Sequence, residues 1–251
     1  MVVTEQPLVS IIMPAHNSER YIKQAIESVK KQIYSNWELL IVDDCSTDET
    51  PAIISEYSMD PRIKPIYLQE NIGIAGARNK AIEQSKGKYI AFLDSDDTWM
   101  NNKLDYQVKY MIRTGCVFTY TYYRVINENN QVVRLINHVP QELTYSDLLK
   151  SNSIGLLTAV IESEILKTTR MPNIPHEDYA AWLNILHKGY TAKLVTSILA
   201  NYRIQSNSRS SNKIKSMFWT WRIYRKNQHK NILLSVYYLT CYIFWGVRKH
   251  T

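Results

Sequence analysis

Tyr89-Ile90-Ala91-Phe92-Leu93-Asp94-Ser95-Asp96-Asp97 runs from five apolar residues straight into three acids within four positions. A short unbroken apolar run bounded by polar residues reads as a strand buried on both faces, as in a parallel sheet. The carboxylates then leave the sheet together at its C-terminal edge, where open α/β sheets bind their ligands. They repel one another unless a cation or N–H donors offset them, and their hard oxygens suit Mg²⁺ or Mn²⁺. The competing reading is a cap with first-turn acids for a helix beginning near Lys103.

The pattern continues on both sides of this stretch. Residues 9–13, 38–42, 63–68 and 116–123 read as further strands, and 20–32, 48–57, 74–85 and 103–114 as helices. Such alternation predicts βαβ units and an α/β fold built on a mostly parallel sheet. Residues 124–134 read as a hairpin, 145–150 and 179–188 as helices, and 192–200 as a last strand before a polar loop at 205–215.

Other strand ends carry polar clusters too. In Asp43-Asp44-Cys45-Ser46-Thr47-Asp48, Ser46 or Thr47 is expected to cap the next helix. That leaves an acid pair able to accept from a nucleobase or ribose, as acids do in dinucleotide folds. Gly73-Ile74-Ala75-Gly76-Ala77-Arg78-Asn79 opens a helix with small residues and one cation, a combination that admits phosphates. It matches neither the dinucleotide fingerprint nor a Walker loop. About 80 residues beyond the acid run, His176-Glu177-Asp178 opens a helix, as first-turn acids or as a general base.

Composition bounds the rest. The 251 residues are 45% apolar and 21% charged, which excludes disorder, collagen and coiled coil. Three cysteines are too few for a disulfide framework, and residue 1 onward shows no leader pattern, so the expected compartment is the cytoplasm. The net charge of +7 is unevenly placed: after Asp178 there are twelve Lys and Arg and no acid. The basic tail carries many Trp and Tyr residues, and residues 232–247 are uncharged and mostly apolar. At 16 residues that run falls short of the roughly 20 needed to span a bilayer, which predicts a peripheral helix on an anionic leaflet. The alternatives are a helix packed on the catalytic domain or a dimer interface. No recognition motif accompanies the charge, so nucleic acid is not an expected partner.

Taken together, these motifs resemble glycosyltransferase family 2, with the GT-A fold. The resemblance rests on residues 9–17, the 42–48 turn, Asn71-Ile72-Gly73 with Ala77-Arg78-Asn79, Asp94-Ser95-Asp96 as a DxD motif, and Glu177-Asp178. It implies a catalytic domain over 1–215, with a nucleotide-sugar half (1–123) and an acceptor half (124–215), followed by a membrane-associating segment at 216–251. It also implies that Pro14, Ala15, His16 and Asn17 contact the nucleotide and that Asp44 accepts from the uracil. Arg78, Asp94 and Ser95 would serve base, ribose and diphosphate, and Asp96 would hold Mn²⁺ or Mg²⁺. Asp178 matches the general base, with His176 and Glu177 beside the acceptor.

The implied reaction is an inverting transfer of a hexose from a UDP-sugar to a lipid-linked or oligosaccharide acceptor. The expected setting is bacterial O-antigen or capsule assembly at the inner face of the cytoplasmic membrane. Arg203, Arg209 and Lys213 are candidate phosphate clamps, and Gln205 and Asn207 stand where some family members place a metal-binding His. Two other classes stay open: a nucleotidyltransferase, which would normally need a Gly- and Lys-bearing loop where this chain has residues 14–18, and a non-catalytic nucleotide-binding or phosphoacceptor module.

Overall fold

β1 (Val9–Ala15) and β2 (Trp37–Asp43) are buried along their whole length, as their apolar runs require of central strands. In the computed structural model, which describes residues 6–205 and 213–248, β1 pairs in parallel with β2 on one side and β4 (Tyr89–Phe92) on the other. β3 (Ile63–Tyr67) extends the sheet beyond β2. The order β3-β2-β1-β4 reverses direction at β1, so a crevice opens at the carboxyl ends of β1 and β4.

Period-two alternation in these strands feeds two cores. Ile11, Met13, Leu39, Ile41, Ala91 and Leu93 face one layer. In it α1 (Ile22–Lys30) buries Ile22, Ala25, Ile26 and Val29 at helical spacing, beside α4 (Lys103–Thr114). Ile12, Leu40, Val42, Ile90 and Phe92 face the other layer, against α3 (Gly73–Gln84) and α7 (Glu177–His187). There the buried Trp182 ring packs on Phe92 and Phe118, at centroid distances of 5.7 and 5.2 Å.

The second part of the sheet is mixed. β6 (Phe118–Ile126) pairs in parallel with β10 (Ala192–Arg203), and the expected hairpin forms between β6 and β7 (Val132–Ile136). The proposed division at residue 123 therefore falls inside one continuous strand. Three short elements were not anticipated. β5 (Thr98–Trp99) and β8 (Glu142–Leu143) run antiparallel to β10, and β9 (Val160–Glu162) runs antiparallel to both β4 and β6, joining the two halves. Helices α5 (Tyr145–Lys150) and α6 (Ser163–Thr168) cover the ends of this part.

Two capping expectations are corrected. α2 (Thr50–Glu56) takes no cap from Ser46 or Thr47; Asp48 accepts from the Thr50 N–H instead, because Ser46 is engaged by Asp43 and Asn17. The 94–97 acids do not cap α4 either. β5 intervenes, and Asn102 occupies the cap position.

The C-terminal arm consists of α8 (Lys213–Arg222), a π-helical turn (Ile223–Asn227) and α9 (Ile232–Arg248). Tyr224 is buried and donates to the Leu149 carbonyl at 2.7 Å, its hydroxyl also 3.0 Å from that of Tyr179 on α7. Ser235, Tyr238, Leu239 and Tyr242 form the inner face of α9. The arm thus packs on the catalytic core, which is the packed-helix alternative the sequence left open, while its outer face stays exposed. No helix among the described residues is long and apolar enough to cross a membrane.

Candidate active site

The loops after β1, β2 and β3 are laced together by short polar side chains. His16 Nδ1 lies 2.8 Å from the Asp44 carbonyl oxygen, and Asn17 Oδ1 accepts from the Thr47 N–H at 2.9 Å. The carboxylate of Asp44 is buried, and it accepts from the N–H groups of Ile72 at 2.8 Å and Gly73 at 2.9 Å. Gly73 has φ +78°, a left-handed conformation that opens α3 and turns this N–H toward Asp44. Pro14 and Ala15 are buried inside β1, so His16 and Asn17 are the exposed members of the first loop.

At the end of β4, Ser95 Oγ lies 2.8 Å from Ser18 Oγ, fastening the acid run to the first loop. Asp94 and Asp96 remain partly exposed while Asp97 is buried. Asp97 accepts from the Arg203 N–H at 2.8 Å, so it fixes the end of β10. Burial, then Asp96 and Asp94, push its carboxyl well above the usual range.

Asp96 is raised more modestly, by burial and then by Asp94, with the Gln205 amide opposing from 2.8 Å. Two partly exposed, mutually repelling carboxylates fit a divalent cation. No group of three His, Cys, Asp or Glu side chains could hold one alone among the described residues, so the remaining oxygens would come from a ligand and water.

Arg78 connects this edge to α7. It is buried, donates to Asp94 at 2.6 Å and to Glu177, and its guanidinium is held firmly protonated by the two acids against the cost of burial. Glu177 is thereby committed to Arg78. Asp178, the next residue, keeps partial exposure, and burial followed by the Glu177 charge pushes its carboxyl up to about 6, with Arg78 opposing. His176 has φ +59° and packs against α8, edge-on to Trp219 at 5.3 Å and 3.3 Å from Ser216 Oγ.

Arg203 is also buried. It donates to the Asp96 carbonyl at 2.8 Å and Gln24 at 3.0 Å, and it stacks over Tyr21 at 4.3 Å, so its cation is held by protein. Arg209 and Asn207 lie outside the described residues, as does the side chain of Lys213.

The sequence reading missed Gln205 as a partner of Asp96, Ser18 as a partner of Ser95, and Tyr123. The Tyr123 phenol is raised by burial, then by Tyr202, with Arg134 opposing. Ser18 and Tyr123 carry no motif; the position of Gln205 is marked by the family resemblance, but its bond to Asp96 is found only once distant parts of the chain meet.

Comparisons with known proteins place the chain in a family. The model of Glycosyl transferase family 2 matches residues 10–162. Over 97% of this chain, the sequence is 42% identical to the putative teichuronic acid biosynthesis glycosyltransferase TuaG of Bacillus subtilis, covering 98% of that protein. It is also 42% identical to Escherichia coli WfgD, a UDP-Glc:α-D-GlcNAc-diphosphoundecaprenol β-1,3-glucosyltransferase, covering 97% of this chain and 95% of that one. In fold it is similar to the mannosyltransferase PcManGT of Pyrobaculum calidifontis in complex with GDP-Man and Mn²⁺. The TM-score is 0.74 at 19% identity, over 98% of this chain and 73% of the other. With the crevice, the ordered motifs and these likenesses in agreement, the chain belongs to glycosyltransferase family 2 and has its GT-A fold, alongside relatives that act in bacterial polysaccharide biosynthesis.

Proposed function

We propose that this chain is an inverting, metal-dependent glycosyltransferase that moves a hexose from a UDP-sugar to an undecaprenyl-diphosphate-linked sugar. One observation carries the reading: Arg78 bridges Asp94 at the sheet edge to Glu177, the neighbour of Asp178. A displacement needs charge stabilised at the leaving group and a proton accepted at the nucleophile, and this bridge holds the candidates for both at one crevice. The name of WfgD supports the donor and acceptor classes, and UDP-glucose is the first donor to try.

The acceptor hydroxyl attacks the anomeric carbon as the C1–O bond to the diphosphate breaks. Its proton passes to an Asp178 carboxylate oxygen, and the bonding pair leaves with the diphosphate. A single base opposite the leaving group inverts the anomeric centre. Asp44 and the exposed His16 and Asn17 receive the nucleotide, and Asp94 and Asp96 would hold the metal ion. Bound Mn²⁺ or Mg²⁺ would supply Lewis-acid stabilisation of the departing charge. Asp178 is suited to its part because its partly desolvated carboxyl is a stronger base than an ordinary aspartate.

The exposed face of α9, next to a tail with no acid after Asp178, supports peripheral binding to an anionic cytoplasmic leaflet. Calorimetry of UDP with and without Mn²⁺, on wild type and Asp96→Ala, tests the donor site. Binding in the micromolar range that needs both the ion and Asp96 is expected. UDP binding indifferent to both removes the metal from the proposal.

A further inference from the structure

A cavity of about 160 Å³ lies between the 172–175 turn and the C-terminal arm, walled by Pro172, Ile174, Pro175, Trp219 and Ile223. Cavities of this size hold a group as large as benzene. Arg222 and Lys226, one helical turn apart, complete the lining together with Asn227. Both are exposed, and neither has an ion-pair partner among the described residues. Because the chain carries no acid after Asp178, nothing in the arm offsets their charge. Two wall residues belong to the surroundings of the candidate base: Pro175 directly precedes His176, and Trp219 packs on the His176 ring at the start of α7.

An apolar wall beside two uncompensated cations matches an amphiphile whose anionic head follows directly on its hydrocarbon. We propose that this cavity binds the diphosphate and first isoprene unit of the lipid-linked acceptor, with Arg222 and Lys226 on the phosphate oxygens. The inference rests on the acceptor class proposed above and gives it a place. Seated there, the diphosphate presents its sugar toward the first turn of α7, which carries Asp178, and the rest of the polyprenyl chain stays in the membrane.

Titrating the whole chain with farnesyl diphosphate, farnesol and inorganic pyrophosphate in neutral detergent tests the site without a donor. Farnesyl diphosphate is expected to bind at least about tenfold more tightly than either part alone. The double variant Arg222→Gln/Lys226→Gln is expected to weaken it about tenfold or more, with the Kd for UDP unchanged. Lys226→Gln alone serves if the double variant does not fold. Equal affinity in wild type and variants, or no binding in wild type, overturns the site.

Turnover with UDP-glucose separates this from the acceptor reading. If wild type glucosylates a GlcNAc diphospholipid in preference to a soluble α-GlcNAc glycoside and the variants do so with the same KM, the acceptor stands and the cavity is not its site. If wild type uses the two acceptors equally well, the acceptor reading falls and takes this inference with it.

Discussion

Asp178 is held in tension by its neighbours. Burial and Glu177 favour the neutral acid, Arg78 favours the carboxylate, and the balance leaves the group titrating at about 6. A base must be deprotonated to work, so kcat/KM is expected to fall about tenfold per pH unit as the pH drops below this value, and to plateau above it. Asp178→Asn is expected to lower kcat by a factor of about 10² to 10⁴ while the Kd for UDP holds, which separates a missing base from a damaged donor site. Arg78 tests the frame rather than the chemistry. Arg78→Gln strands Asp94 and Glu177 without their shared cation and is expected to cost about 3 kcal/mol in urea unfolding. Arg78→Lys keeps the charge but cannot fork between two carboxylates, and should fall between. The acids were legible in the sequence because they cluster at strand ends. The internal commitment of Arg78 and Arg203 was not, since an arginine beside a glycine-rich turn, like Arg78, or at the edge of a polar loop, like Arg203, reads equally well as a phosphate ligand.

Elements were legible where they are long. Unbroken apolar runs located the central strands, which are buried on both faces, and period-3.6 patterns located α1, α3 and α4, which each bury one face. β5, β8 and β9 have only two or three residues each, too few for any period, and exist because neighbouring strands offer unpaired backbone. The α2 cap failed for a different reason: Ser46 and Thr47 both have cap chemistry, but the first loop recruits them for the site. Gly87 shows the same dependence on distant chain. A Cβ there would lie 2.6 Å from the Ser10 backbone nitrogen and 2.8 Å from the Leu8 carbonyl oxygen, so β1 would have to move. The same turn donates Gly87 N–H to Ser10 Oγ and Lys86 N–H to the buried Glu38. Gly87→Ala is therefore expected to destabilise the fold by about 1–3 kcal/mol, read as a lowered thermal midpoint.

At the scale of the whole molecule, the arm has two apolar sides with different work to do. Tyr224, Tyr238 and Tyr242 lock it onto α5 and α7, so deleting the arm would expose core and could not isolate a surface function. Leu233, Tyr237 and Phe244 recur at helical spacing on the opposite side of α9 and stand 82%, 51% and 63% exposed. Changing all three to Asp leaves the packed side intact. On vesicles containing phosphatidylglycerol, wild type is expected to float with the lipid and to release as salt rises, since each cation near the surface adds about 1 kcal/mol that screening removes. The triple variant loses three inserting side chains and gains three charges repelled by the leaflet, so its partition coefficient should drop by about a hundredfold or more. Neutral phosphatidylcholine vesicles should bind wild type weakly, because the apolar strip alone is short. If the variant floats as well as wild type but sediments as a monomer where wild type is a dimer, the strip is a subunit interface and the membrane reading of α9 fails.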